Sequence, residues 1–546
     1  MSVAVATAGT ASEQGSGGSD HRGGTMIILT PDNPGSVDTA INYGTAWAEL
    51  ILTHDGLVAF RKVGGVEGGE LVPDLASAMP RATNGGRTYT FRIRSGIRYS
   101  DGTTFRASDF RNVFERMFKV KGPTAGSFYS TIVGADACLA KPATCNLSKG
   151  IVANDAARTV TFRLTRADGE FLQKLALPFA FAVPQTAPNT DAGTKPLPGT
   201  GAYTWAEYTP NRQIRLVRNP FFKQWSSAAQ PGGFVDGFTI KFGLPLEAEI
   251  TQVQNGQADA ILSPGGLPAD RLGELSTKFA SQTHLNPVPG VFYMIMNTKV
   301  APFDNVLVRR ALNYATDRNA TSKIFGGSKL ARPTCQVLPP NFPGYRPYCP
   351  YSKGGGGTTW RAPDLAKARE LIERSGTKGQ EITIVNPNIP PGKSTGLYFR
   401  DLLNSLGYKA KLKLLALPVF DPLVKNSRNK IQMNLQVWFA DYPAPSNFLY
   451  VLTSCAGFRP NSDSNPNVAE FCDRKITARM DRALALGATN PKAANGLWAS
   501  IDRQVTDQAP WVALMNPQVV TFVSKRLGNY QFNPQWQLLF SKAWVQ

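Results

Sequence analysis

Between Arg87 and Phe118 the spacing of apolar residues changes from a period of two to the period of a helix, which restricts the chain to folds that mix strands and helices. Tyr89, Phe91 and Ile93 alternate with Thr90, Arg92 and Arg94, as in a strand with one buried face. Asp101-Gly102 is a turn signal. Phe110, Val113, Phe114, Met117 and Phe118 then recur at helical spacing, with Ser108 and Asp109 placed to cap the start. The helical pattern returns in Val308, Ala311, Leu312 and Ala315 after Asp304 and Asn305, in a segment opened by Pro363 and closed by Gly376, and in Tyr398, Leu402, Leu403 and Leu406 before Gly407. Glu381–Val385 reads as a strand between them, so the second half is α/β.

The 546 residues suffice for two to four domains at roughly 150 residues each, and 42% hydrophobic content excludes wholesale disorder. The 50 Gly and 40 Pro fit short strands joined by turns. No stretch reaches the roughly 18 to 20 apolar residues of a membrane-spanning helix. Residues 1–24 are small and polar and read as a flexible leader outside the fold, which is expected to begin with the strand Thr25–Leu29. The leader is too weakly hydrophobic for an intact secretory signal and lacks a lipoprotein cysteine, so a mature or trimmed end is expected. The six cysteines fall in three close pairs, Cys138 with Cys145, Cys335 with Cys349, and Cys455 with Cys472. Neighbour pairing would close three local loops, as in large exported proteins; six reduced thiols in a cytosolic protein is the competing reading.

Enzyme motifs are weak. Pro391-Gly392-Lys393-Ser394-Thr395 has the end of a phosphate-binding loop, but its first glycine position is Pro387, which offers no N–H. Gly199-Thr200-Gly201 opens like a dinucleotide fingerprint whose third glycine is Thr204, so it reads better as a turn into a strand. His21, His54 and His284 are widely spaced, without a metal-binding or triad pattern, and no G-x-S-x-G elbow occurs. No catalytic residue, metal ligand or cofactor is therefore assigned. The net charge of +20 is spread over arginines such as Arg92, Arg94, Arg98, Arg106, Arg111, Arg116, Arg309 and Arg310. That distribution favours a solvated basic surface over a nucleic-acid groove, and leaves attraction to an anionic envelope open.

Several ordered segments carry a family resemblance from about Met26 to the C-terminus. Leu71-Val72-Pro73-Asp74-Leu75-Ala76 resembles a "hvPdLA" signature, and the Gly86–Phe110 region resembles a "tytFkLRkGvkFsDGtpltAeDV" block. Pro198–Tyr203 with Arg218-Asn219-Pro220 resembles "GTGPY…rNp". Met296-Asn297-Thr298 with Pro302–Leu312 resembles "fNt…PfdDvrVRqAl", continuing into Ala315-Thr316-Asp317-Arg318. The chain thus resembles the peptide/nickel class of extracytoplasmic solute-binding proteins of ATP-binding cassette importers, actinobacterial type, including receptors associated with clavulanic-acid-type biosynthesis.

The resemblance implies an α/β, two-lobed periplasmic-binding-protein-like fold with an extra domain II. The expected division is leader 1–24, domain I 25–63, domain II 64–189, domain I 190–288, domain III 289–516 and domain I 517–546, with two crossings that permit hinge closure. It implies an oligopeptide or small peptide-like ligand, an ATP-binding cassette permease as partner, no nucleic acid, and a monomer peripheral to the membrane at the cell envelope, lipid-anchored in the full precursor. Trp438-Phe439-Ala440-Asp441 matches the family's W-x-x-D stretch, which puts Asp441 in the position that meets the peptide's α-ammonium; a turn carboxylate before Tyr442-Pro443 is the alternative. Val437 and Ala444 depart from the pattern, where a glycine and an acidic residue are common, so pocket shape is not carried over. Trp438 and Phe439 are read as cleft residues, with a core tryptophan as the alternative for Trp438. Phe128 and Tyr129, in a Gly/Ser-rich loop, are read as covering the ligand, with loop packing as the alternative. A carrier or sensor of an arginine-containing or other metabolite in specialised-metabolite biosynthesis is the first alternative function, and a hydrolase on the same scaffold the second.

Overall fold

The computed structural model describes residues 21–31, 33–262, 267 and 270–546. Three sheets organise it. The first has five strands in the order Ala260–Ile261, Thr25–Thr30, Gly237–Phe242, Gln213–Arg218, Tyr203–Thr209. Thr25–Thr30 runs parallel to both its neighbours, and its buried residues Met26 and Ile28 join the apolar layer that also holds Phe238 and Ile240. The leader reading is corrected at its end. His21 stacks on Trp544 with ring centroids 3.9 Å apart, and the Gly23 N–H donates to the Phe234 carbonyl, so residues 21–24 are part of the fold. Residues 1–20 of that leader lie outside the described residues.

The second sheet is antiparallel, in the order Ala82–Thr83, Thr88–Arg92, Thr159–Arg163, Ile151–Asn154. Its inward residues Tyr89, Phe91, Val160 and Phe162 pack with Phe110, Phe114 and Met117 of the helix Ala107–Lys119. The helix start differs from expectation. Asp109 reaches back to accept from the Arg106 N–H, whereas Ser108 lies inside the first turn and donates through its N–H and Oγ to the Asp155 carboxylate. The helix expected from Pro363 likewise begins at Leu365, because Asp364 accepts from the Lys367 N–H and serves as the cap.

The third sheet has the order Thr283–Pro287, Trp511–Phe522, Gly290–Met296, Met433–Phe439, Glu381–Pro387, Lys409–Leu415, and Ala331–Pro333 also pairs with Trp511–Phe522. The long Trp511–Phe522 strand changes partners along its length: Trp511–Met515 pairs with Gly290–Met296, and Gln518–Phe522 pairs with Thr283–Pro287. A bridge from Val523 to Ala260 ties its end to the first sheet. The molecule therefore has one lobe built on the first two sheets and a second built on the third. Two neighbouring strand runs join them.

Cys138–Cys145, Cys335–Cys349 and Cys455–Cys472 are disulfide-bonded. Each closes a loop of 7 to 17 residues, and closing about 15 residues contributes on the order of 3 kcal/mol in the chain-entropy model. Reduction is expected to lower the thermal midpoint without abolishing the fold, and calorimetry with and without reductant checks this; peptide mapping that found six free thiols would refute the pairing.

The segments that suggested nucleotide chemistry are packing elements. Gly392 lies in the helix Pro390–Ser405, where a Cβ would collide with the Pro387 carbonyl oxygen, and a Cβ on Gly199 would collide with that of Thr53. Among the described residues no group of three His, Cys, Asp or Glu is placed to hold a metal, and no helix is long and apolar enough to cross a membrane.

Candidate functional site

The Met433–Phe439 strand is paired along its whole length with Gly290–Met296, but its other edge is covered only at the start. There Met433 pairs with Ile384, and the Leu435 N–H donates to Asn386 Oδ1 at 2.9 Å. Beyond that point no strand among the described residues pairs with this edge up to Phe439. The strand thus ends in an uncovered run of backbone donors and acceptors leading to Asp441, outside the carboxyl ends of parallel strands. Open α/β sheets bind ligands at such ends.

Asp441 is buried, with 8% of its surface exposed. Its Oδ1 accepts from the Tyr43 hydroxyl at 2.7 Å and its Oδ2 from Asn447 Nδ2 at 2.8 Å. The Asn447 amide is turned by two further bonds, its Oδ1 accepting from the Asp441 N–H at 2.9 Å and from Trp438 Nε1 at 3.2 Å. Gln535 Nε2 donates to the Asp441 carbonyl at 2.6 Å. No lysine or arginine among the described residues forms an ion pair with Asp441. Burial pushes its carboxyl up to about 6, against the opposing pull of the Asn447 and Tyr43 hydrogen bonds. Chemically this is an oriented carboxylate with neutral donors on both oxygens and spare lone pairs for a cation.

The turn after Asp441 plugs into the first lobe. Tyr442 and Ala444 belong to the same apolar cluster as Phe128, Tyr129 and Phe179, and the Tyr442 ring stands edge-on to Phe128 at 5.5 Å. Nearby, Ser446 donates to the Glu170 carboxylate, and the Gly169 N–H donates to the Leu484 carbonyl at 3.1 Å. Burial raises the Glu170 carboxyl to about 7 despite Lys174 beside it.

Of the residues singled out in the sequence, the structure brings Asp441 and Trp438 together through Asn447. Trp438 is partly buried against the apolar cluster of the second lobe, so its indole N–H orients the amide that holds Asp441. Phe439 is 43% exposed, and its ring lies over Gly290 and edge-on to Phe292. The reading of Phe128 and Tyr129 as a ligand cover is corrected. Tyr129 is fully buried and donates its hydroxyl to the Lys174 carbonyl at 2.7 Å, and Phe128 packs on Phe179 and Tyr442. Both belong to the apolar cluster of the first lobe, Phe128 as the last residue of the short helix Ala125–Phe128 and Tyr129 as the residue that follows it.

Sequence reasoning missed Tyr43, Asn447 and Gln535. Asn447 had a local signal, since it follows a Pro-rich turn from the W-x-x-D stretch. Tyr43 had none, being 398 residues from its partner.

Residues 70–460 match the model of the bacterial extracellular solute-binding proteins, family 5 (middle region). The chain belongs to this family. Its matches include the dipeptide-binding protein of Escherichia coli (strain K12), 25% identical over 538 residues and covering 93% of this chain and 92% of that protein. Di/tripeptide-binding protein 1 of Pseudomonas aeruginosa (strain UCBPP-PA14) is 24% identical over 498 residues, covering 86% of this chain and 84% of the relative. Among solved structures, a clavulanic acid biosynthesis oligopeptide binding protein 2 superimposes with a TM-score of 0.87 at 24% identity, covering 96% of both chains. The Helicobacter pylori periplasmic binding protein DppA in complex with peptide STSA gives a TM-score of 0.73 at 20% identity, over 96% of this chain and 98% of that one. The two-lobed α/β architecture is thus the periplasmic-binding-protein-like fold, in a family of solute-binding proteins rather than enzymes.

Proposed function

We propose that this solute-binding protein encloses a peptide between its lobes outside the cytoplasm and delivers it to an ATP-binding cassette permease. The observation that carries this reading is Asp441, a buried carboxylate fixed by neutral donors at the end of an uncovered strand edge. A peptide's charged amino group is costly to bury unless a carboxylate meets it. An extended main chain along Gln436–Phe439 would pair with the free edge, giving affinity that is indifferent to side chains, with Phe439 exposed beside it. The names of the relatives, di- and tripeptide-binding proteins, support the same ligand class. The name of one structural neighbour also favours a second reading, a carrier in specialised metabolism, and that ligand would use the same carboxylate if it carries an amine.

We assign the hinge to the two runs where the strands change partners, between Pro287 and Gly290 and at Pro517, so that domain III is 289–516. Small-angle scattering with a tryptic casein digest as the ligand mixture is expected to show a smaller radius of gyration on saturation, with native mass spectrometry reporting the retained peptides. Retained peptides with an unchanged scattering profile would count against closure, and no retained peptide at all would count against the function.

A further inference from the structure

Tyr43 reaches Asp441 from the opposite lobe. It sits between the strand Thr25–Thr30 and the helix Trp47–Thr53, its ring edge-on to Phe179 at 5.3 Å and beside Trp47 at 6.2 Å. Aromatic packing within the first lobe therefore aims the phenol, while its hydroxyl donates to a carboxylate of the second lobe. The loop that carries it is fixed at its start by Asp38, whose carboxylate accepts from Arg116 on the helix Ala107–Lys119. Gln535, held near the first lobe by the neighbouring Asn533 bonds to the Arg61 and Val63 carbonyls, grips the same residue through its main chain. A hydrogen bond onto an ionised acceptor is stronger than a neutral one, so the Tyr43 contact is strongest when Asp441 carries its charge.

Resting on the reading of Asp441 as the ligand's anchor, we propose that Tyr43 is a positioning residue that couples the anchor to lobe closure. It donates to the carboxylate only when the lobes meet, so the Tyr43 contact and the ionised state of Asp441 favour each other, and whatever cation holds Asp441 ionised also strengthens the latch. The titratable groups around the junction are Tyr43, Tyr129 and Tyr442, with Glu170, Asp168 and Lys174 beyond Tyr442. Lys174 is paired with Asp168 at 2.6 Å, so it is not directed at Asp441. Although 44% of the Tyr43 surface is exposed, burial of its hydroxyl end and the adjacent Asp441 hold the phenol above its ordinary value, so it remains a donor throughout the working pH range.

The test is the closed-to-open ratio by single-molecule energy transfer between dyes on Lys149→Cys and Lys409→Cys, since the six native cysteines are all paired. The ratio is measured without ligand and with the casein digest. Tyr43→Phe keeps the ring and is expected to lower the ratio about tenfold at pH 7.5, the low end for a hydrogen bond to a charged group. In an Asp441→Asn background the same change should cost less than about twofold, and at pH 5 the wild-type deficit should shrink. An unchanged ratio, or an equal tenfold loss in both backgrounds, overturns the proposal by reducing Tyr43 to packing. A digest that leaves the wild-type ratio unmoved counts instead against the peptide reading, and the ligand-free comparison of Tyr43→Phe then decides the latch alone.

Discussion

Asp441→Asn is expected to leave the fold intact and to weaken binding of a free-amine peptide by roughly 10²- to 10³-fold or more. Removing the partner of a buried charge typically costs about 3 to 5 kcal/mol, and each 1.4 kcal/mol is about tenfold in affinity. The amide cannot serve both existing donors as the carboxylate does, because one of its two ends must present N–H to Tyr43 or to Asn447. An N-acetylated peptide already lacks the ammonium, so it should bind the wild type poorly and lose little more on mutation. A turn carboxylate would instead weaken both peptides alike. Calorimetry showing equal affinity of the two peptides for the wild type would remove Asp441 from the site.

The pH dependence of this binding follows from the burial of the carboxyl. With the group pushed from 3.8 to about 6, a cation binding below pH 6 must first displace a proton, so affinity for free-amine peptides should fall as pH drops through that value. The sign for stability is the opposite. A carboxyl raised on folding contributes stability that is present below its unfolded value and is lost as pH rises from 3.8 to about 6. A bound ammonium relieves that cost. The ligand should therefore stabilise the protein more at pH 7 than at pH 5.

The parts of this molecule legible in the sequence are those held by local physics. The alternation of Tyr89, Phe91 and Ile93 and the helical spacing from Phe110 describe a sheet and the helix packed on it, because each residue's face is fixed by its near neighbours. The W-x-x-D stretch is legible as a unit for the same reason, since the strand and the turn that carries Asp441 lie together in the chain. Phe128 and Tyr129 misled because glycine and serine nearby suggest a surface loop, whereas their burial is decided by other segments, Phe179 and Tyr442 packing on Phe128, and Phe114 and the Lys174 carbonyl meeting Tyr129. Tyr43 was invisible for the same reason: its chemistry exists only where two lobes meet. Ser108 shows the smaller error: it is the second residue inside the helix, with its N–H and hydroxyl donating to Asp155, while Asp109 reaches back to the Arg106 N–H.

The loop that presents Tyr43 depends on a buried ion pair, and its loss should have the largest effect on stability. Arg116 Nη1 donates to Asp38 Oδ1 at 2.8 Å and Nη2 to Oδ2 at 2.5 Å, with both side chains essentially inaccessible to solvent. The guanidinium also donates to the Pro188 and Thr190 carbonyls, and Asp38 accepts from the Ala40 and Ala192 N–H groups. Burial alone would raise the Asp38 carboxyl, but Arg116 and these backbone donors outweigh it and hold it below 3.8. A depressed carboxyl contributes stability that is present above its unfolded value and lost as pH falls through the folded one, so this pair should fail only in acid below about pH 4. Asp38→Asn keeps the shape and strands the guanidinium, an expected loss of about 3 to 5 kcal/mol. At about 2.1 cal/mol/K per residue, a chain of 546 residues would show this as a drop of roughly 3 to 4 °C in the thermal midpoint. Asp38→Asn combined with Arg116→Met removes the stranded charge and should recover much of the loss. Scanning calorimetry finding the double variant less stable than Asp38→Asn would mean that the guanidinium's bonds to Pro188 and Thr190, rather than its charge pairing, hold the loop in place.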